Sequence, residues 1–229
     1  IGILNLPVVQ LNTINEKEKY MKKLLLTAYG FSTDSIKNAA LDLVDGNFNS
    51  CNACIISTSW PIEKEKHPQM QQVKNELLAL GVDKVDFVDV EFQDAHLLNN
   101  YQLIFLNGGY PFFLLHHLEK SGADKIIKKM AANGTLIIGL SAGSIVMGPD
   151  LSLMDYLYPE DNLFNVKNLT ALNLTTVRIF PHYKEMITRD KDITKKLLQF
   201  EKHFNQPLNR LNNDQAILVT DNKTEIINS

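Results

Sequence analysis

Short apolar runs and helical stripes alternate along most of this chain. Runs at 24–29, 53–58, 103–106 and 136–140 are largely Leu, Ile and Phe with small neighbours, the pattern of strands buried on both faces. The run at 85–90 alternates apolar and acidic residues, as a half-covered strand does. Between these runs the apolar period lengthens to that of a helix. Ile36, Ala39, Ala40, Leu43 and Val44 form one stripe, stopped by Gly46, and Met70, Val73, Leu77 and Leu80 form another, stopped by Gly81. Residues 94–99 predict a short helix. Pro111 suits the first turn of a helix carrying Phe112, Leu115 and Leu118. A further helix over 124–132 stops at Asn133-Gly134. Past residue 150 the pattern loosens. Residues 150–170 are polar and read as a loop, 178–180 as a short strand ending at Pro181-His182-Tyr183, and 190–204 as an amphipathic helix. Residues 216–220 and 224–227 flank Asp221-Asn222-Lys223 as a terminal hairpin.

Strands and helices in strict alternation imply βαβ crossovers and an α/β domain whose mostly parallel sheet is covered on both faces. In such sheets, sites form beyond the C-terminal ends of the strands. Two small-residue turns lie at such ends: Asn107-Gly108-Gly109 and Gly139-Leu140-Ser141-Ala142-Gly143. The second has the grammar of a nucleophile elbow, a buried strand turning sharply into a helix so that the apical side chain stands clear of the sheet. Ser141 is the expected nucleophile. The backbone N–H of Ala142 and that of Gly109 are the candidate oxyanion donors.

A serine hydroxyl needs a base. Of the six histidines, His67 and His96 sit in polar loops, His116 and His117 are adjacent on a helix, and His203 lies near a helix end. His182 follows a strand and a stiffening proline, so it is the expected base. The group that orients it is open between Asp155, Asp214 and Asp161, each of which also reads as a plain turn or surface aspartate.

The 229 residues suit one sizeable core. Residues 1–20 read as an upstream extension or an added arm, because Met21-Lys22-Lys23 looks like a natural start, and 21–229 as one domain. A net charge of −3 with no basic cluster argues against nucleic acid. No apolar run approaches the ~20 residues needed to cross a bilayer, so no membrane association is expected. Cys51-Asn52-Ala53-Cys54 has no second pair and runs into a strand, so it reads as two reduced structural thiols rather than a zinc or redox site. Without a secretion signal, these thiols favour the cytoplasm. There is no phosphate loop and no dinucleotide fingerprint, and neither a metal nor another cofactor is expected.

Asn107-Gly108-Gly109, Gly139-Leu140-Ser141-Ala142-Gly143 and Pro181-His182-Tyr183 together, in that order and spacing, resemble the peptidase E family, which includes aspartyl dipeptidases and cyanophycinases. The resemblance spans about Met21 to Ile227. It implies a flavodoxin-like three-layer sandwich related to glutamine amidotransferases, with serine in place of their cysteine. It also implies metal-independent hydrolysis of small peptides through an acyl-enzyme. Ser141 and His182 match the family nucleophile and base. By position the family acid points to Asp155, with Asp214 near a second acidic position. Tyr110-Pro111 depart from the asparagine that commonly follows the glycine pair. An N-terminal aspartate in the substrate would need a cation, and strand alternation from His182 offers Arg178. The expected partner is a small peptide substrate, with a homodimer as candidate assembly. An esterase or acyl transferase with the same residues, or an inactive binding domain, are the competing readings.

Overall fold

The computed structural model describes residues 21–229; the expectation for 1–20 lies outside the described residues. In chain order the elements are β1 (Lys23–Thr27), α1 (Asp34–Asp42), β2 (Asn52–Ile56), α2 (Pro68–Ala79), β3 (Lys84–Val88), β4 (Leu103–Leu106), α3 (Pro111–Ser121), α4 (Ala123–Ala132), β5 (Leu136–Leu140), α5 (Ala142–Met147), α6 (Ser152–Leu157), β6 (Ile179–Phe180), α7 (Tyr183–Arg189), α8 (Ile193–Phe204), β7 (Asn209–Arg210), β8 (Ala216–Thr220) and β9 (Thr224–Ile227). Nearly every strand in the first half of the chain is followed by a helix, as the alternating pattern predicts.

Seven strands form one sheet in the order β3-β2-β4-β5-β1-β8-β9. The first five run parallel, β8 runs antiparallel to β1, and β9 antiparallel to β8. The alternation of side chains along each strand divides the core in two. Leu24, Leu26, Ile104, Leu106 and Ile137 face one cluster, which α3, α4, α5 and α8 complete with Leu115, Ile127, Val146 and Phe200. Leu25, Ile55, Phe105 and Ile138 face the other, completed by Ile36 of α1 and Val73 and Leu77 of α2. The result is a three-layer α/β fold.

Local chemistry fixes the helix ends. The Thr33 hydroxyl accepts from the Ile36 N–H at the start of α1, and Nδ1 of His67 accepts from the Gln69 N–H at the start of α2. Pro68 and Pro111 occupy first turns, where no donor is needed.

Register decides what meets at the rim. Thr27 pairs with Leu140, Leu106 with Gly139, and Thr27 with Ala216 of β8. The loops leaving β1, β4 and β5 therefore emerge side by side, and the loop entering β8 arrives at the same edge. A separate two-stranded parallel sheet pairs Ile179 with Asn209 and Phe180 with Arg210. It carries the chain after β6 alongside the chain after β7.

Two parts depart from the sequence reading. The polar stretch 150–170 contains α6, and a separate helix, α7, precedes the long amphipathic one. At six and seven residues, both are too short for a hydrophobic period to reveal them.

Candidate active site

Ser141 joins β5 to α5, as the residue that caps the helix, with φ 47° and ψ −108°. For a residue with a Cβ this is a costly backbone conformation, and it persists only where the surroundings over-determine it. Thr27 and Ser144 supply that constraint. Thr27 C=O accepts from the Ser141 N–H at 3.0 Å. The Ser144 hydroxyl donates to Thr27 C=O and accepts from the Thr27 N–H, both at 2.9 Å. The Thr27 hydroxyl in turn donates to Gly139 C=O at 2.8 Å. All of this lies below the surface, so the bend is tied to β1 by buried bonds that water does not weaken.

The flanking glycines are required by space. A Cβ on Gly139 would lie 2.6 Å from the Ser144 backbone, and one on Gly143 would lie 1.9 Å from Leu106 C=O. Only bare backbone lets α5 sit this close to β4 and β5. The β4 turn is held as firmly. Gly109 has φ 132°, and a Cβ there would meet Ser59 C=O at 2.4 Å. The Ser59 hydroxyl donates to Gly108 C=O at 2.7 Å, and Ser59 C=O accepts from the Tyr110 N–H at 3.0 Å.

His182 lies 3.0 Å from the hydroxyl of Ser141 through Nε2. Its Nδ1 lies 2.6 Å from Oδ1 of Asn213. An amide oxygen only accepts, so Nδ1 carries the proton and Nε2 is left free to accept from the serine. The backbone of His182 is left-handed, φ 59° and ψ 28°, which turns the ring away from the strand direction toward β5. Tyr29 meets the ring edge-on, with centroids 6.2 Å apart.

Asn213 is brought there by the small parallel sheet and by β8. The Tyr183 N–H donates to Leu211 C=O at 3.0 Å, the Lys184 N–H to Oδ1 of Asn212 at 3.3 Å, and the Ser32 hydroxyl to Asn213 C=O at 2.6 Å. The far side of the Asn213 amide is held too, with Nδ2 donating to Oε1 of Glu185 at 2.5 Å.

Ser141 and His182 are thus together, and Ala142 and Gly109 flank them on adjacent strand ends. Neither of the two aspartates bonds to His182, although Asp214 lines the same cavity. Asp155 sits in the first turn of α6 and accepts from Asn162 at 3.3 Å. Asp214 accepts from the Ser229 hydroxyl at 3.2 Å, because successive residues of its loop point in different directions and Asn213 takes the inward one. Asp161 lies in the turn after α6, the helix that carries Asp155, and makes no hydrogen bond to His182. Arg178 is also corrected: its guanidinium pairs with Asp150. Alternation from His182 fails because the left-handed residue breaks the extended backbone on which the two-residue period depends. Burial raises the Asp150 carboxyl, but hydrogen bonds from Arg178 and Ser152 outweigh it and hold the group below the usual carboxylate range.

Sequence reasoning missed Asn213 and Glu185. The signal available was proximity: Asn213 adjoins a candidate acid, and Glu185 lies three residues past the base, one turn along a helix.

Residues 59–227 match the family described as peptidase family S51. Uncharacterized peptidase PM1590 of Pasteurella multocida is 29% identical over 210 residues, covering 90% of this chain and 97% of that protein. Uncharacterized peptidase Lin0382 of Listeria innocua is 34% identical over 149 residues, covering 64% of this chain and 69% of its own length. Among solved structures, a provisionally named peptidase E protein from Listeria monocytogenes superimposes with a TM-score of 0.75 at 25% identity, covering 91% of this chain and 99% of that one.

Proposed function

Because this chain belongs to peptidase family S51 and is a serine peptidase, we propose that it hydrolyses small peptides through an acyl-enzyme formed on Ser141. The observation that carries this reading is the unbroken line from the Ser141 hydroxyl to Nε2 of His182 at 3.0 Å and from Nδ1 to Asn213 at 2.6 Å. Nε2 takes the hydroxyl proton as Oγ attacks the scissile carbonyl carbon. The carbonyl oxygen gains negative charge and accepts from the N–H groups of Ala142 and Gly109. Collapse of this intermediate breaks the C–N bond, and the imidazolium gives its proton to the departing amine. Water, deprotonated by the same nitrogen, then releases the acid and restores the serine.

Asn213 replaces the aspartate expected in this set. It fixes the tautomer of His182 as a carboxylate would, but it brings no charge to the imidazolium. With Arg178 held by Asp150, no anchor for a substrate aspartate is assigned, and the peptide need not begin with aspartate. Two buried free thiols suit a reducing compartment, the cytoplasm.

The test is labelling by a fluorophosphonate, followed by a dipeptide panel. Wild-type protein should be labelled at Ser141 and should cleave some dipeptides, and Ser141→Ala should do neither. Equal behaviour of the two proteins would refute the assignment. Turnover of nitrophenyl esters far above any peptide would make the enzyme an esterase.

A further inference from the structure

We infer that Glu185 is a positioning residue for His182, acting through Asn213; the inference rests on the catalytic reading above. A side-chain amide is nearly symmetric in shape and can present either its oxygen or its NH2 to the imidazole. Only one choice suits a base. With Oδ1 toward His182, Nδ1 is the donor and Nε2 accepts from Ser141. With the NH2 toward His182, Nδ1 must accept, so Nε2 carries the proton and faces the serine as a donor. That is the wrong tautomer for deprotonating a hydroxyl.

An aspartate in this place would have no wrong face. The asparagine has one, and something must forbid it. Glu185 does this by charge type rather than by fit. A carboxylate is acceptor-only. Its Oε1 lies 2.5 Å from Nδ2 of Asn213, so turning the amide over would set two acceptor oxygens against each other. The carboxylate itself is fixed at its base. Glu185 is in the first turn of α7, and its N–H donates to His182 C=O at 2.9 Å. The other carboxylate oxygen lies 3.8 Å from the Arg189 guanidinium, one turn further along the same helix. Base and positioning residue are therefore three residues apart on one short element, and Asn213 bridges them from another loop. The chain Glu185–Asn213–His182–Ser141 is linked by three hydrogen bonds. The negative charge missing from the third member of the set is present one bond further out.

Glu185→Gln differs from an ordinary packing change. Glutamine keeps the length and shape but can donate to Oδ1 of Asn213, so it no longer dictates which way the amide lies. In Asn213→Asp either side-chain oxygen can accept from Nδ1, so orientation by residue 185 becomes unnecessary. The experiment measures fluorophosphonate labelling of Ser141 in wild type, E185Q, N213D and the double variant, with melting curves for each. It also records imidazole 15N shifts of His182 in wild type and E185Q. We expect E185Q to lower the labelling rate at saturating probe in proportion to the Nδ1–H fraction that remains, about twofold when both amide orientations are equally populated, with little change in the half-saturating probe concentration. The His182 shifts should move from the Nδ1–H tautomer toward a mixture. On the N213D background, E185Q should leave the rate unchanged, or raise it by removing a like charge. An unchanged tautomer in E185Q would overturn the inference. So would a rate equal to wild type, or an equal slowing on both backgrounds. If wild-type protein is not labelled at Ser141, the catalytic reading fails and this inference falls with it. If Ser141 is labelled and E185Q makes no difference, only the inference falls.

Discussion

Gly143→Ala isolates the contact that brings α5 against β4. The new Cβ would lie 1.9 Å from the carbonyl oxygen of Leu106 and 2.4 Å from its carbon. That is about 1.5 Å short of the 3.4 Å at which ordinary contact begins. The obstructing atoms are backbone at the end of a buried strand, so no side chain can rotate out of the way. α5 must move instead, against the hydrogen bonds that tie Ser144 and Ser141 to Thr27. Overpacking of this kind costs about 1–3 kcal/mol, and rigid atoms on both sides put this case near the upper end. For a domain of this size, ~3 kcal/mol lowers Tm by about 6–12 °C. The same displacement carries Ser141 and Ala142 away from Gly109, and a misplacement of about 1 Å costs roughly a hundredfold in rate. Gly122→Ala is the control. Gly122 has φ +78°, and a Cβ there would meet nothing within 4 Å, so the change carries only backbone strain, about 1–2 kcal/mol. Thermal melting and fluorophosphonate labelling together give the answer. Both variants should melt lower, but only Gly143→Ala should lose labelling rate. A Gly143→Ala protein that melts within about 2 °C of wild type and labels normally would refute the steric account of the bend.

Two further outcomes follow from other parts of the fold. Arg178→Met should leave labelling unchanged and lower stability at pH 7 by about 2–3 kcal/mol, because it strands the Asp150 carboxylate without its cation. Since the folded Asp150 carboxyl is held below its usual range, its contribution is fully present above about pH 4 and is lost as pH falls through the lower folded value. Urea midpoints should therefore fall in acid for wild type and fall less for Arg178→Met; lost labelling at unchanged stability would return Arg178 to the substrate. Cys51 and Cys54 are both buried, and burial, with Asp86 nearby, pushes the Cys54 thiol far up. Neither thiol should react with a disulfide reagent in the native protein, and both should react in denaturant; rapid native reaction would contradict structural thiols.

The half of the site built on the main sheet was legible in the sequence. Buried parallel strands leave nearly continuous apolar runs, and the turn that ends each run is therefore easy to find. Ser141 and Gly109 stand out in this way, as residues just past Leu140 and Leu106. His182 is reached by elimination and by its place after a strand and a proline. The orienting group was not legible, for two reasons. The pairing of Ile179 and Phe180 with Asn209 and Arg210 involves two residues on each strand, too few to leave a pattern. A catalytic set of this kind also calls for an acid, whereas here an amide supplies the acceptor. Asp214 misses by one position because a loop, unlike a strand, has no fixed alternation from which to read which side chain turns inward. Arg178 fails for the complementary reason: the two-residue period stops at His182, whose backbone does not continue the strand.

The strand order has a consequence for the chain as it leaves the ribosome. Ser141 and His182 are both made before residue 213, but the asparagine that holds the imidazole enters just ahead of β8, the strand that must slot in beside β1. A nascent chain ending at residue 205 already carries Ser141 and His182, yet lacks the Asn213 amide that accepts from the ring. On the catalytic reading proposed above, this order of synthesis leaves the set incomplete until β8 has been made and docked beside β1.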